Sequence, residues 1–128
     1  MIPIHENNCH WTFVFLDPEA KELTYYDSFR SDGTNIMQNI LAFIEEEHNH
    51  NNMAFNKESW NLKNDPNTPL QDDKHSCGYL AILDAECVAL QKPFNHSQQD
   101  VPGIRNKIRI LLISEGLDDP YIYDIERS

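Results

Sequence analysis

The pattern of hydrophobic and polar positions first predicts a β-hairpin near the N-terminus. Trp11–Leu16 is short, rich in β-forming residues and almost wholly apolar, which is typical of a strand buried on both faces. Asp17–Lys21 is polar around Pro18, as turns commonly are. Leu23–Tyr26 supplies a second strand, so Trp11–Asp27 is predicted to form a hairpin.

Three later segments have the apolar spacing of helices. The first runs to about Glu47, and its apolar positions are Ile36, Ile40, Leu41 and Ile44. From Cys77 a run with few helix breakers predicts a largely buried helix to about Gln91. A last helix is predicted over Val101–Ser114, with Gly116 as its stop signal. One face of it carries Ile104, Ile108, Leu111 and Leu112.

The remaining segments read as connections and one further strand. His48–Asn52 is polar and aperiodic, which favours a loop; its two histidines suggest a metal site, but no other ligand stands at fixed spacing. Phe55–Leu62 has the composition of another strand, and Asn64–Ser76 that of an irregular surface connection. Without a repeat or linker, residues 1–128 are predicted to form a single α+β domain.

Composition and charge restrict the function class. The formal net charge of −11 argues against nucleic-acid binding, which requires clustered Lys and Arg. The three cysteines are Cys9, Cys77 and Cys87, an odd set without a C-x-x-C pair, so we expect a reducing compartment and neither a disulfide framework nor a thiolate zinc site. No signal sequence and no apolar run of about 18–20 residues is present, so the chain is predicted to be soluble and intracellular.

Cys77 is the first candidate for chemistry. It stands at the predicted start of a buried helix, where backbone N–H groups and the helix dipole favour an anion. Beside a protonated histidine such a site can lower a thiol pKa from about 8.5 to roughly 3.5–7.5. Gly78 leaves the backbone next to the sulfur uncrowded, and the peptide N–H of Cys77 can point at a developing oxyanion. A single cysteine before an apolar helix is, however, more often a small core residue.

Three further residues favour a catalytic role for Cys77. His10 enters the first strand and Asp27 leaves the second, so the hairpin places them together and a hydrogen bond between them would fix the imidazole tautomer. Gln71, shortly before Cys77, offers a neutral amide donor for an oxyanion. Each has an ordinary alternative: a surface strand residue for His10, a turn or cap acid for Asp27 and a solvated loop glutamine for Gln71.

A family resemblance rests on these residues in combination. The motifs, in this order and spacing, are His10-Trp11, Tyr25-Tyr26-Asp27-Ser28, Pro69-Leu70-Gln71 and Cys77-Gly78. Together they resemble the SUMO (sentrin)-specific ubiquitin-like-protein protease family, which is related to adenoviral protease. The segment Gln98–Pro102 with Arg105 resembles the stretch that follows the nucleophile helix in that family, and the match extends from about Ile2 to Leu112.

The resemblance implies a papain-like cysteine protease fold, with a small mixed sheet whose hairpin packs against a buried nucleophile helix and flanking helices. It implies that Cys77 is the nucleophile, His10 the general base, Asp27 its orienter and Gln71 the oxyanion donor. Trp11 would cover the Gly-Gly terminus of the modifier, unless it is a plain core aromatic. The reaction would be acylation of the thiol and then hydrolysis. The implied partner is SUMO or a related modifier and its conjugates, with no cofactor, metal, nucleic acid or membrane, in the nucleus or the cytoplasm.

Two departures leave alternatives open. Ser76 stands where the family usually has an aspartate, which we expect to alter local hydrogen bonding without removing the triad. The N-terminal part of the usual domain is expected to be missing, as in a fragment or a shortened relative with a thinned substrate groove. The chain is therefore either an active isopeptidase or an inactive relative that only binds a ubiquitin-like protein. A His–acid–Cys acyltransferase is disfavoured by Trp11 and Gln71.

Overall fold

The computed structural model of the protein describes residues 1–114. The elements are β1 (Ile2–Glu6), β2 (His10–Asp17), β3 (Glu22–Tyr26), α1 (Thr34–His50), β4 (Asn61–Asn64), α2 (Cys77–Ala89) and α3 (Val101–Ser114). Single turns of 3₁₀ helix at Lys57–Ser59 and Gln98–Asp100 precede β4 and α3. Two predicted helices thus begin where the sequence indicated, at Cys77 and Val101, while the predicted stop at Gly116 lies outside the described residues.

The strands form one mixed sheet in the order β1-β2-β3-β4. β2 pairs antiparallel with both β1 and β3, whereas β4 runs parallel to β3. The predicted hairpin is confirmed, with Phe13 opposite Tyr26 and Val14 opposite Tyr25. Its turn is closed by the carboxylate of Asp17, which accepts hydrogen bonds from the backbone N–H groups of Glu19 and Ala20, both at 3.0 Å.

One face of the sheet is covered by α1. The buried cluster there consists of Val14, Leu23, Tyr25, Met37 and Leu41, and each such side chain contributes roughly 1.5–3 kcal/mol by its burial. Gly33, which immediately precedes α1, lies so close to the ring of Tyr25 that a Cβ at this position would run into it. The approach of α1 to the sheet therefore requires glycine at its start.

The other face of the hairpin carries α2. This helix packs against β2, and α3 packs against α2. Its buried positions, Cys77, Leu80 and Asp84, follow a helical spacing on a single face, whereas Ile82 and Leu90 are about half exposed. The helix is therefore buried on one face only, which is less than the apolar sequence predicted. That face places the first residue of α2 against the hairpin.

Three local predictions hold only in part. His48–Asn52 is not all loop, because α1 continues through His50 and the His48 ring bonds the backbone carbonyl of Ile44 at 2.8 Å. The further strand predicted within Phe55–Leu62 exists as β4, but it begins only at Asn61, after the 3₁₀ turn at Lys57–Ser59. The first strand is buried on both faces at its centre, where the consecutive residues Phe13 and Val14 are 3% and 0% exposed, whereas Trp11 at its start is 43% exposed. β1 was not predicted at all.

Candidate active site

The ends of the hairpin bring His10 and Asp27 into contact. His10 is the first residue of β2, Asp27 follows β3, and Nε2 of the imidazole lies 2.6 Å from Oδ1 of the carboxylate. The side chain of Asp27 is almost fully buried, and the ring of His10 stacks on Phe29 with centroids 4.7 Å apart. Because a carboxylate only accepts, Nε2 donates the proton. Nδ1 is then the nitrogen that carries the lone pair.

The turn after β3 keeps Asp27 charged. Its carboxylate also accepts hydrogen bonds from the backbone N–H groups of Phe29 (2.8 Å) and Ser31 (3.1 Å) and from the Ser31 hydroxyl. Burial by itself would raise the pKa of Asp27, but the hydrogen bonds from Phe29, Ser31 and His10 hold it below its usual value. Asp27 is thus a turn acid and the partner of His10 at once, so the two interpretations from sequence are compatible.

Cys77 lies where an anion is favoured. It is the buried first residue of α2, and the first turn of that helix contains no acidic residue to compete with a thiolate. Within residues 1–114 no hydrogen bond joins its sulfur to His10. In substrate-free sites the contact between nucleophile and base is commonly long.

Trp11 and Gly78 join the two halves of the site. A Cβ on Gly78 would lie 3.6 Å from Cδ1 of Trp11, so the indole edge contacts the start of α2. These two residues are the immediate neighbours of His10 and Cys77, which places the strand of the base directly against the helix of the thiol. The indole is partly exposed and stacks on His5 with centroids 4.3 Å apart, so it is not a core aromatic.

An apolar groove of about 400 Å³ opens beside this contact. Its lining consists of Met1, Pro3, Trp11, Thr12, Phe13, Gly78, Tyr79, Ala81, Ile82 and Ala85. The groove runs between α2 and the strands β1 and β2. Because Trp11 and Gly78 belong to its lining, it ends next to His10 and Cys77.

Gln71 is buried and hydrogen-bonded at both ends of its amide, unlike a solvated loop glutamine. Its backbone N–H donates to the carbonyl of Ser28 at 3.0 Å, and its Oε1 accepts from the Ser28 hydroxyl. Its Nε2 donates to the backbone carbonyl of Asp73 at 2.8 Å. An amide nitrogen has two N–H groups, so one remains for another acceptor. The structure thus places Gln71 next to the residue that follows Asp27, and its catalytic role stays a prediction.

A second carboxylate–imidazole pair was missed from the sequence. Asp84, on the buried face of α2, accepts from Nε2 of His96 at 2.6 Å, and Nδ1 of that ring lies 3.8 Å from Sγ of Cys87. Burial raises the pKa of Asp84 to about 6, against the opposing effect of His96. The sequence did offer one signal for this pair. Asp84 lies at helical spacing from Cys77 and Leu80 and therefore on the buried face of α2, where a carboxyl group requires a hydrogen-bonding partner.

Residues 1–114 contain no group of three or more His, Cys, Asp or Glu side chains arranged to hold a metal ion. None of the helices among these residues is long and apolar enough to cross a membrane.

Comparisons with known proteins show the family to which the chain is similar. A family model described as the Ulp1 protease family, C-terminal catalytic domain, matches residues 1–119. Sentrin-specific protease 5 of Mus musculus is 27% identical over 108 residues, which is 84% of this chain and 14% of that protein. Sentrin-specific protease 3 of Homo sapiens is also 27% identical over 108 residues, 19% of its length. The chain therefore spans less than a fifth of the curated relatives it matches.

The fold is also similar to that of solved Ulp1 protease structures. The SUMO protease Ulp1 with its catalytic cysteine oxidised to a sulfonic acid superposes with a TM-score of 0.74 at 23% identity, over 91% of this chain and 53% of that one. The C-terminal Ulp1 protease domain in complex with Smt3, the yeast ortholog of SUMO, gives 0.73 over 91% and 52%. This likeness confirms the predicted α+β, papain-like fold. The chain spans about half of each of these structures.

Proposed function

This chain belongs to the Ulp1 protease family, C-terminal catalytic domain, and from that premise we propose that it is a thiol peptidase of ubiquitin-like modifiers. It cleaves after the C-terminal Gly-Gly of SUMO or a related modifier, either in a precursor or in a conjugate. The observation that carries this proposal is the buried 2.6 Å bond between His10 and Asp27, next to the helix that begins with Cys77. The sentrin-specific relatives and the Ulp1–Smt3 complex support SUMO as the partner.

The chemistry assigns one step to each side chain. Nδ1 of His10 takes the proton of Cys77, and the sulfur attacks the carbonyl carbon of the last glycine. The carbonyl electrons move to oxygen, which accepts from the Cys77 peptide N–H and from the second N–H of Gln71. The oxyanion then collapses, the C–N bond breaks, and His10 returns its proton to the leaving amine. Water hydrolyses the thioester and frees the modifier.

Trp11 is proposed to cover the Gly-Gly segment. Its indole is partly exposed, braced by His5 and in contact with the residue after the nucleophile. Glycines have no side chains, so they can lie beneath an indole where larger residues would be excluded. This position supports selection for Gly-Gly rather than general proteolysis.

The proposal is tested with purified chain and a modifier that carries a fluorogenic amide on its C-terminal glycine. Fluorophore release from SUMO is expected and should disappear in Cys77→Ser. The matched controls Cys9→Ser and Cys87→Ser should retain it, because neither residue takes part in the reaction. A folded chain that releases no fluorophore from any ubiquitin-like modifier would contradict the proposal.

The same samples test the competing functions. Binding of SUMO without cleavage would identify a non-catalytic relative, and transfer of acetyl from acetyl-CoA would identify an acyltransferase. A nuclear or cytoplasmic location belongs to the proposal as well. A fluorescent fusion of the chain found only in another compartment would contradict that part.

A further inference from the structure

The residues immediately before the nucleophile form a tightly bonded turn, Gln71–Ser76, here called the pre-nucleophile turn. Oδ1 of Asp73 accepts from the backbone N–H groups of His75 and Ser76, both at 2.9 Å, and Oδ2 accepts from the Ser76 hydroxyl at 2.6 Å. The backbone carbonyl of Asp73 accepts from Nε2 of Gln71. Asp73 is therefore bonded both to the proposed oxyanion donor and to the residue that precedes Cys77.

A side chain from beyond α2 binds this turn with both ends of its amide. Nε2 of Gln98 donates to Oδ2 of Asp73 at 3.0 Å, and Oε1 of Gln98 accepts from the backbone N–H of Asp72. The hydrogen bonds from Ser76 and His75 keep the pKa of Asp73 below its usual value, so its carboxylate stays available as an acceptor. Among the hydrogen bonds of the pre-nucleophile turn, those to Gln98 and Ser28 come from distant parts of the chain.

Gln98 is itself held at a defined position. It opens a 3₁₀ turn that begins with a capping box between Ser97 and Asp100. Two residues earlier, His96 is bonded to Asp84 on the buried face of α2, and Phe94 packs edge-on against both His96 and Tyr26. The segment Phe94–Gln98 is thus fixed to α2 and to β3 before its last residue reaches the turn.

We propose that Gln98 is a positioning residue for the oxyanion site. It acts through Asp72 and Asp73, whose placement sets the direction of the Gln71 amide relative to the thiol of Cys77. This inference rests on the proposed function, because it assigns Gln71 to the oxyanion.

Loss of Gln98 should affect the transition state more than the fold. Asp72 is exposed, so water can replace the Gln98 oxygen on its N–H, and Asp73 retains its bonds to His75 and Ser76. What is lost is the fixed orientation of the turn. Direct removal of an oxyanion donor costs about 10²–10³-fold in kcat, and loosening one through a neighbour should cost about tenfold.

The test compares the variant Gln98→Ala with the control variant Gln99→Ala, which changes the adjacent, exposed glutamine. With the fluorogenic modifier substrate, Gln98→Ala should lower kcat about tenfold and leave KM within about twofold, whereas Gln99→Ala should change neither. Alkylation of Cys77 by iodoacetamide forms no oxyanion, so its rate should stay within about twofold in both variants. Gln98→Glu keeps the acceptor for Asp72 but loses the donor to Asp73, and should resemble Gln98→Ala.

A double-mutant cycle separates positioning from general loosening. In a Gln71→Ala background, Gln98→Ala should cost almost nothing further in kcat, because the group it positions is gone. An unchanged kcat in Gln98→Ala, a parallel fall in alkylation, or fully additive losses in the cycle would each overturn the proposal.

A readout without turnover keeps this inference separate from the proposed function. If the wild-type chain hydrolyses no modifier, the proposed function fails, and the side-chain amide signals of Gln71 in nitrogen–proton correlation spectra decide the positioning claim. They should shift in Gln98→Ala and not in Gln99→Ala. Unshifted signals would overturn it.

Discussion

Residues 1–114 contain two buried carboxylate–imidazole pairs with the same bond length and opposite shifts of the carboxyl pKa. In each pair an aspartate Oδ1 lies 2.6 Å from a histidine Nε2, and each aspartate side chain is at most 2% exposed. Asp27 also accepts from three donors in its turn, and its pKa lies below the usual value. Asp84 has His96 as its hydrogen-bonding side chain, and burial raises its pKa to about 6.

The difference shows that bond length does not identify a catalytic pair. Burial raises the pKa of both carboxyl groups, and the number of N–H and O–H donors determines which of them stays charged. In the proposed mechanism the orienting carboxylate must remain an anion while the base cycles through its cation, and the lowered pKa of Asp27 meets that requirement. For Asp84 burial outweighs the hydrogen bond from His96, so the pKa is raised to about 6.

The two thiols also lie in different electrostatic surroundings. Cys77 opens α2, where the helix dipole stabilises an anion. Cys87 lies in the last turn of that helix, where the dipole opposes one, and burial together with Asp84 and Glu86 raises the pKa of its thiol. Although Cys87 has its own imidazole at 3.8 Å, the surroundings keep it protonated.

Replacing each aspartate by asparagine gives the largest expected contrast. Asp27→Asn should lower kcat/KM on the modifier substrate about 10³-fold, because a neutral amide no longer fixes the tautomer or stabilises the imidazolium of His10. Asp84→Asn should change kcat/KM by no more than about threefold, since an amide oxygen still accepts a hydrogen bond from His96. Equal losses in both variants would remove the distinction between the pairs.

The pH dependence of stability should have opposite signs for the two pairs. Because the folded pKa of Asp84 is raised from 3.8 to about 6, its contribution to the free energy of unfolding is present below about pH 4 and lost as the pH rises through about 6. This loss amounts to about 2–3 kcal/mol. Relative to wild type, Asp84→Asn should therefore gain stability between acidic and neutral pH in urea titrations.

Asp27 provides the control for that titration. Its folded pKa is lowered, so its contribution is present above the ordinary aspartate pKa and is lost as the pH falls through the folded value. The free energy of unfolding of Asp27→Asn should fall furthest below that of wild type near neutral pH, and the two values should converge in acid. If both variants changed in the same direction with pH, the electrostatic comparison would be wrong.

A single hydroxyl near Asp27 tests how donors keep it charged. Ser31→Ala removes the O–H donor to Asp27 and should cost about 1–2 kcal/mol in the free energy of unfolding at neutral pH. The matched change Ser59→Ala removes an exposed hydroxyl bond to a backbone carbonyl and should cost about 0.5 kcal/mol or less. A Ser31→Ala protein as stable as wild type in urea would show that the turn does not stabilise the charge.

The sequence revealed what depends on local patterns. The hairpin and the helices at Cys77 and Val101 followed from apolar periodicity, and the contact of His10 with Asp27 followed from the hairpin. β1 was missed although Ile2 and Ile4 alternate with Pro3 and His5, because a five-residue segment that contains a proline is a weak strand signal; an edge strand tolerates the proline. The last turn of α1 is largely exposed, so no apolar periodicity marks it.

Polar contacts between distant segments could not be predicted from the pattern. Asp84 stands in an apolar run, and its partner His96 lies in an irregular segment. Gln98 was noted only as part of a motif, since its contact with Asp73 depends on how the chain returns after α2. Such pairings have no period, and they become visible only when the fold brings the segments together.

The most direct test of the central claim is to identify which cysteine a modifier acylates. SUMO with an electrophile at its C-terminus is incubated with the wild-type chain, and the adduct is digested and mapped by mass spectrometry over Cys9, Cys77 and Cys87. The account predicts an adduct on Cys77 alone, which forms much more slowly in Asp27→Asn and at nearly the wild-type rate in Asp84→Asn. An adduct on Cys87 or Cys9, or none from a folded chain, would contradict it.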